Sequence, residues 1–288
     1  MTALSAPVPV RKRARRRLPE GAIPAIVIGV YVLVAVIGPL FVHYDPVITS
    51  VGDRLLPPGS LSAAGEPRPL GTDGVGRDML GQLIYGARTS LIIGVAVVGV
   101  SALVGVVLGT TAGYFSGWTD VSISRLIDVM LAFPGILLAI LIAGVFDRSM
   151  LVVILALSVA NWIGFARLSR GLALSFRERP WVDAARLAGV RAPLLLARHI
   201  VPFVIGPVAA LATTEFALAI LSEAGLSFLG LGLPPSSVSW GQTIANGRSY
   251  LGTAWWISAF PGIALSGLVI SAGLLGDRLT ARLSGDRH

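Results

Sequence analysis

The chain has 288 residues, of which 54% are hydrophobic and only 13% are charged, whereas roughly a quarter of the residues in an ordinary soluble domain are charged. This composition, with a mean hydropathy of +0.80, excludes a soluble globular protein and indicates helices that lie in lipid. The lack of cysteine excludes disulfides, zinc–cysteine sites and iron–sulfur clusters, and three scattered histidines argue against intramembrane haem ligation.

The net charge of +8 is concentrated in the N-terminal tail. Six basic residues lie between Arg11 and Arg17, directly before an uncharged run from Gly21 to Tyr44. This arrangement is typical of positive-inside anchoring rather than nucleic-acid binding. The apolar run is longer than the core of a cleaved signal peptide, which has about 7–15 residues. We therefore predict a cytoplasmic tail at 1–20 followed by an uncleaved N-terminal transmembrane helix.

Charge-free stretches long enough to cross a membrane recur along the rest of the chain. A transmembrane helix needs about 20 apolar residues, and the gaps between charges predict six such helices. They lie at 21–44, 89–119, 129–146, 149–166, 200–222 and 249–276. The expected fold class is an all-α membrane protein in which an extracytoplasmic loop at 45–87 separates the N-terminal helix from a five-helix core at 88–278.

Basic residues in the loops predict the orientation, because cytoplasmic loops retain positive charge. With six helices, the N-terminal tail, the loop 167–199 and the tail 279–288 lie on the same side, and the loop alone contains seven arginines. Both termini are therefore predicted to be cytoplasmic.

The loop 167–199 contains a segment unlike the rest of the chain. Pro180 suits the first position of a helix, and Gly189 suits the left-handed residue after its end. A short cytosolic helix is therefore predicted between them, and Pro193 then opens a second helix that returns to the membrane.

One face of the short helix is predicted to carry small or aromatic side chains. These are Trp181, Ala184, Ala185 and Ala188. Asp183 and Arg186 lie at the margin of this face. From the residues alone, two interpretations stay open: an ordinary capped surface hairpin, or a helix that sits in a groove of a partner protein.

The same segment resembles the EAA signature of ABC importer permeases, E-A-A-x3-G-x9-I-x-L-P. Asp183-Ala-Ala is followed, after three intervening residues, by Gly189 and, after nine more intervening residues, by His199-Ile-Val-Pro202. Asp183 replaces the glutamate, His199 the isoleucine and Val201 the leucine. In that family the segment is the coupling helix, which inserts into a cytosolic ATPase subunit. The resemblance implies an ATPase-coupling role for Trp181, Asp183, Ala184, Ala185, Arg186, Gly189 and Pro202.

Four further blocks resemble the C-type subunit of the dipeptide/oligopeptide/nickel permeases. They are Pro69–Asp78 with Tyr85–Leu91, Arg125–Pro134, Leu226–Pro235 with Ser239–Gly241, and Trp255–Trp256 with Pro261–Gly262 and Leu274–Arg278. All five matches occur in the family's order and cover nearly everything after the N-terminal tail. The resemblance implies a MetI-like ABC importer permease fold with one extra N-terminal helix.

This resemblance also implies the partners and the location. They are a second homologous permease, two cytosolic ATPases, an extracytoplasmic solute-binding protein and short peptides as substrate, in the lipid of the bacterial cytoplasmic membrane. Lys12, the only lysine, does not follow a glycine as a P-loop lysine must. We therefore expect a transport subunit and not an enzyme, with ATP hydrolysed by the partner subunits.

No cofactor, metal or nucleic acid is expected. Import of nickel, glutathione or antimicrobial peptides stays open within the family. An ATP-independent channel is the alternative from a different class.

Two glutamates are candidates for the translocation pathway, because charged residues within membrane spans are costly and mark function by default. Glu215 is predicted near mid-bilayer, facing the bundle interior or the partner permease. There it could meet the amino terminus of a peptide or hydrogen-bond across helices to Thr213 or Thr214 of a neighbour. Glu223 is predicted near the outer end of the same span, with structural anchoring favoured over substrate contact.

Charged residues also lie around the glycine-rich stretch Gly71–Gly76 of the extracytoplasmic loop. Its spacing does not fit the nucleotide-binding pattern G-x-G-x-x-G, which favours a turn. Asp73, Arg77 and Asp78 are predicted to order the loop that faces the binding protein.

Overall fold

A computed structural model describes residues 22–285, so the predicted tail at 1–20 lies outside the described part. The helices are α1 (Ala22–Phe41), α2 (Met79–Phe115), α3 (Gly117–Leu131), α4 (Gly135–Val145), α5 (Met150–Arg177), α6 (Pro180–Leu187), α7 (Ala192–Leu195), α8 (Val201–Phe228), α9 (Trp240–Gly247) and α10 (Trp256–Gly285). Two short strands, β1 (Ser60–Leu61) and β2 (Pro67–Arg68), pair antiparallel in the loop between α1 and α2.

Five helical segments of the described chain are long and apolar enough to cross a membrane. They are α1, α2, α5, α10 and the continuous segment Ala192–Phe228, in which a π-helical turn joins α7 to α8. The predicted third span is instead a broken pair, α3 and α4, bent by 80°. Pro134 explains the break, because proline disfavours helical backbone at the residue before it. The total is six spans if the bent pair counts as one.

Several helices continue beyond the predicted boundaries. α2 begins at Met79, so the predicted loop 45–87 ends at Asp78, whose carboxylate accepts the N–H of Gly81 at 2.8 Å and caps the helix. α5 continues to Arg177, and α10 continues through most of the predicted tail 279–288. The physical reason is that a charged residue ends the apolar stretch of a helix without ending the helix itself.

α2 is the central helix of the bundle and packs most extensively against α5. A side-chain Cβ at Gly105 would lie 2.5 Å from the Cβ of Phe165, and one at Gly113 would lie 2.5 Å from the carbonyl oxygen of Arg170. Glycine therefore permits the close approach of the two helices, as small residues do in membrane bundles.

α2 also connects the two ends of the bundle. Its 37 residues span about 55 Å at 1.5 Å per residue. Near its start, the carbonyl oxygen of Leu83 accepts a hydrogen bond from Trp240 of α9 at 2.9 Å. Near its end, the hydroxyl of Tyr114 accepts one from Arg186 of α6 at 3.3 Å. We call these the α9 end and the α6 end.

Candidate functional site

The short helix predicted from the sequence is present at the α6 end. Pro180 lies in its first turn, and Gly189 has a φ of +79°. The N–H of Gly189 donates to the carbonyl oxygen of Arg186 at 3.0 Å, and that of Val190 donates to the carbonyl oxygen of Ala185 at 3.1 Å. These two hydrogen bonds form a Schellman end. The prediction of a capped helix and a glycine turn is confirmed, and Pro193 opens α7 as predicted.

The inner face of α6 differs from the prediction. Val182 is fully buried in a cluster formed with α2, α5 and α8, and Ala185 packs against the same cluster. The two residues are three positions apart and therefore share a face. Ala185, which the sequence groups with Ala184 and Ala188, is half-buried on the face by which α6 docks onto its own bundle.

The outer face of α6 is exposed and carries a large apolar side chain. Leu187 is 90% exposed, and Asp183, Ala184 and Ala188 are exposed beside it. An isolated apolar side chain on a surface is ordinary. Here it lies on a short capped helix at the α6 end of the bundle.

Two side chains connect α6 to the long helices. The guanidinium of Arg186 lies 5.1 Å from the ring centroid of Tyr114 in α2, and it also pairs with Asp183 at 3.1 Å. The ring of Trp181 lies 5.8 Å from that of Phe203 in α8. A displacement of α6 would therefore act on both α2 and α8.

The remaining residues of the predicted coupling segment lie where the chain returns to the membrane. Pro202 is exposed in the first turn of α8. The ring of His199 lies 6.4 Å from that of Trp181. Both residues therefore flank the junction between α6 and the returning helix.

A cavity of about 250 Å³ opens inside the bundle between α3, α4, α5 and α8. Glu215 of α8 lines it together with Asn161 and Arg167 of α5. A Cβ at Gly164 would lie 3.5 Å from Oε1 of Glu215, so α5 leaves room for the carboxylate there. The structure thus places Glu215 at a cavity wall, half-buried, at the middle of its helix.

Thr213 and Thr214 of this chain lie away from Glu215. The Thr213 hydroxyl donates to the carbonyl oxygen of Ala210 at 2.7 Å. Both the Thr213 and Thr214 hydroxyls lie close to Gly276 of α10. Neither residue lines the cavity that holds Glu215.

Glu223 is fully buried near the α9 end. Its Oε1 accepts hydrogen bonds from the hydroxyls of Ser227 at 2.8 Å and Ser239 at 2.7 Å. The side chain has no surface on the cavity, and it joins α8 to the start of α9. This geometry agrees with the anchoring role that the sequence favoured and separates Glu223 from Glu215.

Asp73 is the centre of the loop at the α9 end. Its Oδ1 accepts the N–H groups of Val75 at 3.0 Å and Arg77 at 2.9 Å. Its Oδ2 accepts from the Arg77 guanidinium at 2.8 Å and from the Gln82 amide at 2.9 Å. Gln82 in turn accepts from Thr243 of α9 at 3.3 Å, so one carboxylate links the loop to α2 and α9.

The loop has a second buried carboxylate that the sequence did not single out. Oδ1 of Asp53 accepts the N–H of Ala63 at 2.7 Å, and Oδ2 accepts the Ser50 hydroxyl at 2.8 Å. The hydrogen bond from Ala63, followed by that from Ser50, lowers the pKa of the Asp53 carboxyl. The charged form is therefore the form that orders this loop.

Several residues of these sites were not predicted from the sequence. They are Leu187, Tyr114, Asn161, Arg167 and Gln82. Helical spacing could have found Leu187, since five positions from Val182 is a rotation of about 140°. Arg167 was counted only as a loop charge.

The architecture is that of an ABC importer permease. Solved structures of the MetNI methionine ABC transporter in inward-facing conformations are similar to this chain, with a TM-score of 0.58 and 18% identity over 70% of this chain and 97% of that chain. At that identity the similarity shows the fold alone. A family model adds the sequence relationship. Residues 105–285 match the binding-protein-dependent transport system inner membrane component, and the chain belongs to this family.

Curated relatives extend the similarity to most of the chain. The di/tripeptide transport system permease protein DppC of Pseudomonas aeruginosa is 37% identical, covering 86% of this chain and 82% of its own. The dipeptide transport system permease protein DppC of Alkalihalophilus pseudofirmus is 35% identical over 88% and 82%. The glutathione transport system permease protein GsiD of Pectobacterium atrosepticum is 37% identical over 73% and 70%.

Proposed function

We propose that this chain is the permease subunit of an ATP-driven importer that moves short peptides across the bacterial cytoplasmic membrane. The single observation that carries the proposal is the pairing of a permease fold with a capped, outward-facing helix, α6, that is tied to two long helices. Two of the relatives compared above are named for peptides of two or three residues, which supports a peptide substrate. A channel needs no ATPase-docking helix, and nickel has no support from these relatives.

In the proposed assembly, the α6 end is cytoplasmic and each of two cytosolic ATPases receives the coupling helix of one permease. Leu187 with Asp183, Ala184 and Ala188 forms the surface offered to the ATPase. Arg186 transmits a displacement of α6 to α2. Trp181 transmits the same displacement to α8, the helix that contains Glu215. Nucleotide-driven closure of the ATPases would thereby change the shape of the cavity.

The α9 end is proposed to be extracytoplasmic and to receive the solute-binding protein. Asp73, Arg77 and Asp78 hold the loop in one shape by the contacts described above, rather than by offering their charges to a partner. A second homologous permease completes the pore, because the cavity around Glu215 is partly open at the surface of this chain. Both termini are proposed to be cytoplasmic.

Reconstitution tests the proposal. The complete importer, comprising both permeases, both ATPases and the binding protein, is placed in liposomes with a radiolabelled dipeptide outside and ATP inside. We expect uptake that requires ATP and the binding protein, and ATPase activity that rises with loaded binding protein. Uptake down a gradient without ATP would instead establish a channel.

A further inference from the structure

We infer that the cavity between α3, α4, α5 and α8 binds both charged ends of a short zwitterionic peptide, with Glu215 facing the ammonium group and Arg167 the carboxylate. This inference rests on the proposed function and specifies the substrate contacts. The two residues line the same cavity wall from different helices. They place a negative and a positive group at one partly open pocket of the bundle, in which Glu215 is half-buried and Arg167 is exposed.

Neither charge has an ion-pair partner among the described residues of this chain. The ion pairs found among residues 22–285 involve neither Glu215 nor Arg167, so the two do not pair with each other. Arg170, one turn further along α5, shows the contrast: Asp120 holds its guanidinium through two hydrogen bonds of 2.5 and 2.8 Å. Charged groups at membrane depth are ordinarily paired or face a water-filled pathway. A ligand that carries both charges satisfies both sites at once.

The spacing along α5 suits a peptide of two or three residues. Asn161, Gly164 and Arg167 are three positions apart, so they follow one face in steps of about 4.5 Å. Gly164 marks the level of the Glu215 carboxylate, and Arg167 lies one step nearer the α6 end with a long side chain. An extended peptide rises about 3.3–3.6 Å per residue. Its two termini would therefore reach both charges only if the peptide is short.

The test compares peptide termini against charge variants in the complete reconstituted importer. The probes are radiolabelled dialanine, N-acetyl-dialanine and dialanine amide, each presented with the binding protein. Uptake is expressed as the ratio of variant to wild type for each peptide. The same binding protein serves the variant and the wild type, so its preference among the three peptides cancels in this ratio.

Arg167→Gln is expected to lower uptake of the two peptides with a free carboxylate by roughly tenfold or more, because it removes a charge-assisted contact. Dialanine amide should change by less than about twofold, since it never made that contact. Glu215→Gln should show the converse pattern, with N-acetyl-dialanine spared. Arg148→Gln, at an exposed arginine between α4 and α5, is the control and should leave all three ratios near one.

An equal loss for all three peptides would overturn the inference and assign the two charges to contacts with the partner permease. A wild-type importer that takes up none of the peptides would overturn the proposed function itself, which is a different result. A second readout does not depend on the charge variants. Gly164→Cys places a thiol in the cavity of a chain that has no cysteine. Dialanine should slow its alkylation and N-acetyl-dialanine amide should not, and equal rates would also overturn the inference.

Discussion

The hydroxyl of Ser239 donates a 2.7 Å hydrogen bond to Oε1 of Glu223 and accepts the N–H of Gln242 at 3.2 Å. One side chain thus caps α9 and joins it to a fully buried carboxylate of α8. Ser227 donates to the same carboxylate oxygen. This carboxylate oxygen therefore helps to hold α9 on the bundle, together with the hydrogen bonds from Trp240 to Leu83 and from Thr243 to Gln82.

Replacement of Glu223 should separate its acceptor role from its charge. Glu223→Leu leaves two buried hydroxyls without their acceptor, so we expect the free energy of unfolding to fall by about 1–3 kcal/mol. Glu223→Gln keeps an oxygen in the same place and should stay closer to wild type. Thermal unfolding of the purified permease in detergent measures both. A Glu223→Leu melting temperature equal to wild type would contradict the anchoring role.

The turn after α6 should be sensitive to any side chain. Gly189 has a φ of +79° and open space around it, and Gly171 within α5 also has open space but no positive φ. Gly189→Ala should therefore cost about 1 kcal/mol or more through backbone strain alone, whereas Gly171→Ala should not destabilise its helix. We expect Gly189→Ala, but not Gly171→Ala, to reduce ATPase stimulation by loaded binding protein.

If Gly189→Ala and Gly171→Ala both keep the wild-type stimulation of ATPase activity, the geometry of the α6 turn has no part in coupling. Both variants should insert into the membrane normally. Quantitative immunoblotting of the membrane fraction measures this.

Substitutions on the exposed and the buried face of α6 should have different effects. Leu187 is exposed and Val182 is buried, so Leu187→Ala should leave the stability of the permease unchanged and weaken co-purification of the ATPase. Val182→Ala should lower the free energy of unfolding by about 1–3 kcal/mol, because it opens a cavity in the core. Co-purification and thermal unfolding are measured on the same preparations. Wild-type ATPase retention by Leu187→Ala would remove Leu187 from the docking surface.

Introduced cysteines should report the orientation, because the chain has none of its own. Ala64 and Ser236 are exposed at the α9 end, and Ser175 is exposed at the α6 end. In intact cells with the outer barrier permeabilised, Ala64→Cys and Ser236→Cys should react with an impermeant thiol reagent. Ser175→Cys should react only after the cytoplasmic membrane is opened. The reverse pattern would invert the proposed topology.

What the sequence determined by itself is local chemistry. Apolar runs between charges locate the membrane-crossing stretches, because a charge in lipid is costly at any position of any fold. The short helix α6 was predictable for the same kind of reason. Pro180 and Gly189 act through their own backbone geometry, which does not depend on distant contacts.

Tertiary structure alone decided which side chains face each other. The partial burial of Ala185 follows from how α6 lies on the cluster around Val182, and no periodicity within eight residues specifies that neighbour. The cavity that holds Glu215 and Arg167 is formed by the consecutive helices α3, α4 and α5 together with α8. Its two charges line one space because α8 packs beside α5. That placement is a property of packing, which hydropathy does not encode.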